Sequence, residues 1–219
     1  MDSVFIIKLI VLFGSIALHE FGHAKSADSA GDPTPSSFGR VTLNPVAHFD
    51  PLGATLIVMS SLAGFGIGWG KPVPINPAKM QHPRWDAFQS VAWGPLTNVI
   101  IAVVFAFMFR VITKDGVDLS NFAVQFCFWA VLLNVSLALF NLLPIGPLDG
   151  HWLLGLLMPE PMGARFMLWS RTTGTMILFG IILLDNLVLR QQGHPGILGT
   201  ILYQPASYIM TLLLGHRFN

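Results

Sequence analysis

A series of apolar segments, each about 20 residues long, limits the folds open to this chain more than any other feature. A helix needs about that length to cross the hydrocarbon core of a bilayer, which is about 30 Å thick. In lipid, only helices and closed barrels satisfy every backbone hydrogen-bonding group. The segments therefore predict an all-α polytopic membrane protein, with about five to six transmembrane helices and short extended segments between them. The predicted helices span about residues 4–24, 51–68, 88–112, 122–143, 166–189 and 196–215.

The charge content agrees with an exterior that faces a lipid bilayer. Only 11% of the residues are charged, whereas a soluble domain carries about 25%. The formal net charge of +1 and the lack of a basic tract in the sequence give no electrostatic basis for binding nucleic acid. The single cysteine, Cys127, excludes an intrachain disulfide, and its apolar neighbours predict a buried hydrophobic residue in place of a nucleophile.

The sequence predicts a single membrane-embedded domain over residues 1–219, because it contains neither an internal repeat nor a long linker. The first apolar run contains Lys8 and follows Asp2. Both features are atypical of a secretory signal peptide, so we expect a retained transmembrane helix. We place the catalytic core at about residues 4–160 and additional C-terminal helices at about residues 164–215.

Two polar segments separate the first three predicted helices. The first, residues 25–50, contains the strand-like stretch 39–43, which Pro45 should end. The second, residues 71–86, contains four prolines that disfavour a helix and favour extended structure or turns. These prolines are Pro72, Pro74, Pro77 and Pro83.

The first predicted helix ends in a candidate metal-binding motif. Residues 19–23 read His-Glu-Phe-Gly-His and match the H-E-x-x-H pattern of zinc metalloproteases. Because residues four apart share one face of a helix, His19 and His23 can bind the same ion, and Glu20 can act as general base. With seven histidines and only two glutamates in the chain, chance predicts about 0.002 such motifs. The alternative is a polar helix end at the membrane surface.

Two histidines leave a zinc site short of its usual third protein ligand. Asp149 is the best candidate, because it follows a long apolar run that two prolines and two glycines interrupt at residues 144–150. Non-helical backbone at membrane depth persists only where protein buries it or water reaches it. The alternative for Asp149 is an N-cap of the helix that begins near His151. One side chain can serve both purposes.

These motifs together resemble the site-2 protease family of intramembrane metalloproteases, peptidase family M50. The signatures of that family are H-E-x-x-H and a downstream N-x-x-P followed by Asp-Gly. Further similarity lies at residues 39–45, 68–74 and 94–98, so the resemblance covers about residues 5–160. The chain departs from the family at Gly146, where proline is common, and at Trp93, where alanine is common. Here the two signatures read His19-Glu20-Phe21-Gly22-His23 and Asn141-Leu142-Leu143-Pro144, with Asp149-Gly150 closing the second.

The resemblance implies an intramembrane zinc endopeptidase that hydrolyses peptide bonds within or near membrane-spanning substrates, as in regulated intramembrane proteolysis. It implies one zinc ion per chain, held by His19, His23 and Asp149, with Glu20 as base. Asn141 and Asn98 are candidates for binding substrate or the oxyanion, although an interhelical hydrogen bond is the alternative for each. The polar segments 25–50 and 71–86 are candidates for gating or for pairing with extended substrate. The resemblance is to the minimal form of the family, and we expect neither the PDZ nor the CBS modules that larger members carry.

Two other functions are compatible with ligands inside a membrane. One is a metal transporter or channel, which does not explain Glu20 between the histidines and often shows internal repeats. The other is a catalytically silent pseudoprotease that binds substrate, against which the intact Glu20 argues. We expect an integral, multi-pass protein of a prokaryotic plasma membrane. The sequence leaves its orientation and its assembly into a homo-oligomer open.

Overall fold

The computed structural model describes residues 3–62, 70–118 and 120–215. Across these residues the chain is a bundle of helices, and no strand is formed in them. Single π-helical turns at 170–174 and 185–189 continue the helices Met162–Trp169 and Thr175–Leu184. The helices are α1 (Ser3–Ser29), α2 (Thr34–Ser37), α3 (Pro51–Leu62), α4 (Pro83–Ile112), α5 (Phe122–Asn141), α6 (Asp149–Leu157), α7 (Met162–Trp169), α8 (Thr175–Leu184) and α9 (Ile197–Leu214).

Five helical segments in the described part of the chain are long and apolar enough to cross a membrane. They are α1, α4, α5, the continuous helix Met162–Leu189 and α9. The prediction of an all-α membrane protein is therefore confirmed. The predicted second span, 51–68, begins as α3 at Pro51, and its residues 63–68 lie outside the described residues.

Two local predictions in the polar segments were wrong. Residues 39–43 form turns instead of a strand, because Gly39 closes a turn with φ +66° and the backbone N–H of Arg40 donates to Pro35 O (2.8 Å). The third long helix begins at Pro83 instead of residue 88. Proline is well suited to the first helical turn, where its missing N–H has no intrahelical partner.

The helices α1, α4 and α5 form the centre of the bundle, and α9 packs on α4 and α5. His19 contacts Asn98, whereas the later His23 contacts the earlier Ser90, so α1 and α4 run antiparallel. The main apolar cluster lies between α4, α5 and α9 and includes Phe109 and Leu214, both fully buried. Cys127 belongs to this cluster, as expected of a small buried hydrophobic residue.

Side chains from other helices satisfy the ends of α6 and α9. Arg84, at the start of α4, donates to the carbonyls of Leu156 and Met158 at the end of α6. Arg110, at the other end of α4, donates to the last carbonyls of α9. The buried carboxylate of Asp185 accepts the first backbone N–H groups of α9. These bonds occupy backbone groups that a helix end leaves without partners.

Candidate metal centre

Three predicted ligands meet in the interior of the bundle. His19, His23 and Asp149 each offer one ligand atom, and these atoms all lie within 4.8 Å of one another. The two histidine Nε2 atoms are 3.1 Å apart. Asp149 Oδ2 lies 3.2 Å from His19 Nε2, and Asp149 Oδ1 lies 3.3 Å from His23 Nε2. This is the arrangement that the two sequence motifs predict, although His23 and Asp149 are more than 120 positions apart in the sequence.

The backbone of α1 and a glycine of α4 shape the histidine pair. The four-residue spacing puts both imidazoles on one face of α1, with their rings edge to face at 4.6 Å between centroids. Gly94 lies directly against them, because a Cβ placed there would come within 2.2 Å of His23 Nε2. Gly22, between the histidines, lies equally close to α4, at Trp93 O and Thr97 Oγ1. The two glycines therefore allow α1 and α4 to approach closely enough for α4 to support both rings.

Hydrogen bonds from the other ring nitrogens set the orientation of both imidazoles. His23 Nδ1 donates to the carbonyl of Ser90 at 2.9 Å, and His19 Nδ1 donates to Asn98 Oδ1 at 2.7 Å. A proton on each Nδ1 leaves the Nε2 lone pair free to bind a metal. Such partners fix the tautomer and the orientation of metal-binding histidines.

Asn98 is itself held by a buried amide that the sequence reasoning missed. Its Nδ2 donates to Asn134 Oδ1 (2.9 Å), and Asn134 Nδ2 donates to Ser15 Oγ (2.8 Å) and to the carbonyl of Ala130 (2.8 Å). Both asparagines are fully buried. Asn134 carried the same signal as Asn98 and Asn141, an amide within an apolar run, but its two side-chain partners, Asn98 and Ser15, lie on other helices.

Asp149 reaches the centre because the chain leaves helical geometry after α5. Residues 142–148 form turns, and α6 then begins at Asp149 itself. The N-cap position belongs to Leu148, whose side chain makes no capping bond, so Asp149 is directed to the histidines instead of capping the helix. Gly150 packs against the turn, since a Cβ there would lie 2.3 Å from Leu142 O.

The donor set fits a metal cation. With Nδ1 of each histidine bearing the proton, two Nε2 lone pairs and a carboxylate converge on one point without a hydrogen between them. Asp149 Oδ2 is buried and accepts no hydrogen bond within the described residues, so a cation at that point would satisfy it. Two imidazoles and one carboxylate are a common protein ligand set of catalytic zinc, which keeps a further position for water or substrate.

Glu20 lies beside the ligand group and is not a member of it. Its half-buried carboxylate accepts the backbone N–H of Val73, with 3.1 Å between Val73 N and Glu20 Oε2. Gly70 passes close to the other oxygen, because a Cβ placed there would lie 3.7 Å from Glu20 Oε1. A segment distant in sequence thus contacts the predicted general base.

The remaining candidates are bonded to backbone carbonyls near them in the sequence. Asn141 is at the C-terminal end of α5, where its Nδ2 donates to Leu137 O at 3.0 Å. His151 is buried with its Nδ1 on the carbonyl of Leu148, and His48 is fully buried in the polar segment with its Nε2 on Thr42 O. Neither histidine joins the metal-binding group of the described residues.

The unusual Gly146 has a structural reason. Its N–H donates to Ser170 Oγ at 2.7 Å, and a Cβ at this position would lie 2.4 Å from Ser170 O. A proline here would remove the donor and collide with the backbone. The segment that delivers Asp149 therefore packs directly on the π-helical turn that begins at Ser170.

Comparison with known proteins agrees with this site. The sequence model of peptidase family M50 matches residues 110–184, a stretch that includes Asp149. "Putative zinc metalloprotease YwhC" of Bacillus subtilis (strain 168) is 36% identical over 162 residues, covering 72% of this chain and 71% of YwhC. No solved structure gives a significant match.

Two mycobacterial relatives are more distant. "Putative zinc metalloprotease Rip2" of Mycolicibacterium smegmatis is 30% identical over 149 residues, which are 68% of this chain and 56% of Rip2. "Putative zinc metalloprotease Rip3" of Mycobacterium tuberculosis (strain ATCC 25618 / H37Rv) is 27% identical, over 64% of this chain and 28% of Rip3. The chain thus spans about half of Rip2 and less of Rip3. Its helices, the family match and these relatives agree on an integral membrane metalloprotease with zinc as cofactor. The chain belongs to peptidase family M50, the site-2 protease family.

Proposed function

We propose that this protease cleaves its substrates inside the membrane, at peptide bonds within or near their membrane-spanning segments. The observation that carries this proposal is the location of the ligands within a span. His19 follows Ser3 by 16 residues, which places it about 24 Å from the N-terminal end of α1. His23 precedes Ser29 by 6 residues, which places it about 9 Å from the C-terminal end. A ligand group at this depth meets substrate chains that are themselves in the bilayer.

We further propose that His19, His23 and Asp149 hold the zinc ion and that Glu20 is the general base. When bound there, zinc supplies a Lewis acid that polarises the scissile carbonyl and makes water acidic enough to react at neutral pH. Glu20 accepts the proton of the attacking water and then donates it to the leaving amide nitrogen, so the base is regenerated. Ser90 and Asn98 keep the imidazoles oriented during this cycle.

The two asparagines take different proposed roles. Asn98 accepts a hydrogen bond from His19 through its Oδ1 and donates one to Asn134 through its Nδ2. We therefore assign it the role of orienting His19 and not that of contacting substrate. Asn141 lies where α5 ends and the turn toward Asp149 begins. We assign Asn141 a hydrogen bond to the substrate backbone. The substrate helix must unwind locally before its carbonyls become accessible to such a bond.

We also propose a domain organisation, a class of partners and a membrane for this protein. We propose one membrane-embedded domain over residues 1–219, with its catalytic core at about 4–160 and additional helices at about 164–215. Its partners are membrane-spanning protein or peptide substrates in a lipid bilayer. The relatives are bacterial, which supports a prokaryotic plasma membrane.

The proposal is tested by reconstituting the protein in lipid vesicles with a single-span substrate and identifying the products by mass spectrometry. We expect a cut within or next to the apolar segment, which a zinc chelator stops. Glu20→Gln should lower kcat by about 10²- to 10⁴-fold and retain the zinc. Glu160→Gln, the same change at the other glutamate, which is exposed between α6 and α7, is the matched control. Equal activity in Glu20→Gln, or cuts confined to soluble parts of substrates, would contradict the proposal.

A further inference from the structure

Residues 70–76, here called the strap, contact the general base through one backbone donor. Pro72 and Pro74 have no N–H, so Val73 carries the only backbone donor between Lys71 and Ile75. That donor is used on Glu20 Oε2, at 3.1 Å. The prolines on both sides restrict the backbone around Val73, which keeps this N–H in one direction.

A second segment, residues 40–48, here called the anchoring loop, holds the strap. The N–H of Lys71 donates to His48 O at 2.8 Å, and the carbonyl of Lys71 accepts from Arg40 Nη1 at 3.3 Å. The same Nη1 donates to Ala47 O at 2.6 Å. Lys71, two residues before Val73, therefore has both its N–H and its carbonyl bonded to the anchoring loop.

The anchoring loop has a buried interior unusual for a polar segment beside a membrane. Arg40 is only 4% exposed, and His48 is fully buried with its Nε2 at 2.9 Å from Thr42 O. Burying a guanidinium is costly unless its donors are satisfied. Its Nη1 donates to the carbonyls of Ala47 and Lys71, so the Arg40 side chain links the anchoring loop to the strap.

The strap also fits closely against α1 at the level of the base. A Cβ on Gly70 would lie 2.6 Å from the Ile16 side chain and 3.5 Å from His48 O. Ile16 precedes Glu20 by four residues and shares its helix face. The backbone of Gly70 thus lies between α1 and the anchoring loop, which leaves the strap little freedom to move along the helix.

We propose that the anchoring loop and the strap form a positioning device for Glu20, in which Arg40 is a positioning residue and the Val73 N–H orients the carboxylate. The inference rests on the proposed function, because it assigns Glu20 the role of base. The bond from Val73 holds Oε2, so that Oε1 is directed consistently for proton transfer. Residues 40–45 and 70–74, which lie outside the group of metal ligands, thereby share one role in orienting Glu20.

The direct test compares Val73→Pro with Val73→Ala. Both variants lose the valine side chain, and only the proline variant loses the N–H. We expect kcat in Val73→Pro to be about tenfold lower than in Val73→Ala, with KM and zinc content within about twofold, because general-base efficiency depends on orientation. Equal kcat in the two variants would overturn the proposal.

Arg40 is tested by rescue. Arg40→Met keeps the length of the side chain without a donor and should lower kcat by about tenfold at constant zinc content. Arg40→Lys should recover a large part of this loss, because a single nitrogen makes both observed bonds. The exposed Arg165 supplies the control Arg165→Met. If kcat falls equally in Arg40→Lys and Arg40→Met, or if the loss of kcat is proportional to a loss of zinc, then Arg40 supports the fold and does not position Glu20.

A readout without catalysis separates this inference from the proposed function. Hydrogen exchange measured by mass spectrometry over residues 70–76 should be faster in Arg40→Met than in the wild type, whereas residues 122–141 of α5 should be unchanged. Unchanged exchange in the strap would overturn the link from Arg40 to Lys71. A wild type that cleaves no substrate would contradict the proposed function, and the exchange comparison would still test the strap.

Discussion

Gly94 of α4 and His23 of α1 are so close that a methyl group at position 94 would lie 2.2 Å from both His23 Nε2 and Cε1. The same methyl group would lie 2.8 Å from His19 Cε1. A single glycine therefore provides the space that both imidazoles occupy. The backbone of α4 acts as one wall of the metal centre.

Gly94→Ala should displace both imidazoles and lower the affinity for zinc at least about tenfold. The measurement is competition for zinc against a chelator of known affinity in detergent. Gly14→Ala is the control, because a Cβ at Gly14 of α1 would meet no heavy atom of the described residues within 4 Å beyond its own stretch of helix. We expect it to keep full affinity. Equal affinities in the two variants would show that the rings tolerate the methyl group.

Replacing the amides behind His19 should weaken zinc binding in a graded order. Asn98→Ala removes the direct partner of His19 and should lower zinc affinity by about 10- to 100-fold. Asn134→Ala leaves Asn98 in place without its acceptor, and Ser15→Ala removes only the last bond of the chain, so their effects should be successively smaller. The same chelator competition measures all three. An equal loss in all three variants would indicate a general effect on folding.

The carboxylate of Asp185 should contribute to stability and not to catalysis. It accepts the N–H groups of Ile197 and Leu198 at 2.7 and 2.8 Å and is 5% exposed. Asp185→Ala should lower the free energy of unfolding by about 1–3 kcal/mol, because two partly buried backbone donors lose their acceptor. Asp185→Asn retains one acceptor oxygen and should lose less. Thermal unfolding in detergent measures both, and a loss of zinc at unchanged stability would contradict this role.

The loop that follows α1 should be sensitive to acid through Asp32. Burial raises the pKa of Asp32, but hydrogen bonds from Asn76 N and Thr34 outweigh it and lower this pKa below its ordinary value. The ionised side chain therefore stabilises the fold at pH values above the unfolded pKa of about 3.9. This contribution is lost as pH falls through the folded pKa.

Asp32→Asn should remove that acid sensitivity. Its unfolding temperature should be lower than that of the wild type at pH 7, and the difference should shrink as the pH falls below about 3.9 and through the folded pKa of Asp32. Thermal unfolding at a series of pH values checks the prediction. Parallel curves for the two proteins over the whole range would show that Asp32 does not titrate with folding.

The sequence was sufficient for those parts of the site that local geometry determines. The four-residue spacing of His19 and His23 fixes their common face wherever a helix forms. The interruption after α5 indicated Asp149, because irregular backbone within an apolar region needs a reason. Five of the six predicted membrane segments could also be located, because length and hydropathy are properties of each segment alone.

The parts that the sequence did not reveal depend on contacts between distant segments. Asn134 and Ser15 are 119 residues apart, and the apolar run around Asn134 does not indicate which distant residues it bonds. The stretch 39–43 has residues suited to a strand, but a strand needs a partner, and here the backbone of Arg40 bonds to Pro35 instead. Propensity gives way to tertiary contacts at such positions.

The central claim is that His19, His23 and Asp149 together hold the metal on which catalysis depends. X-ray absorption spectroscopy at the zinc edge of the purified protein, with Asp149→Ala beside it, tests this most directly. We predict about one zinc per chain with two imidazoles and oxygen ligands at about 2.0–2.2 Å, and a weaker, altered site in Asp149→Ala. A sulfur ligand, or an identical spectrum and zinc content in the two proteins, would contradict it.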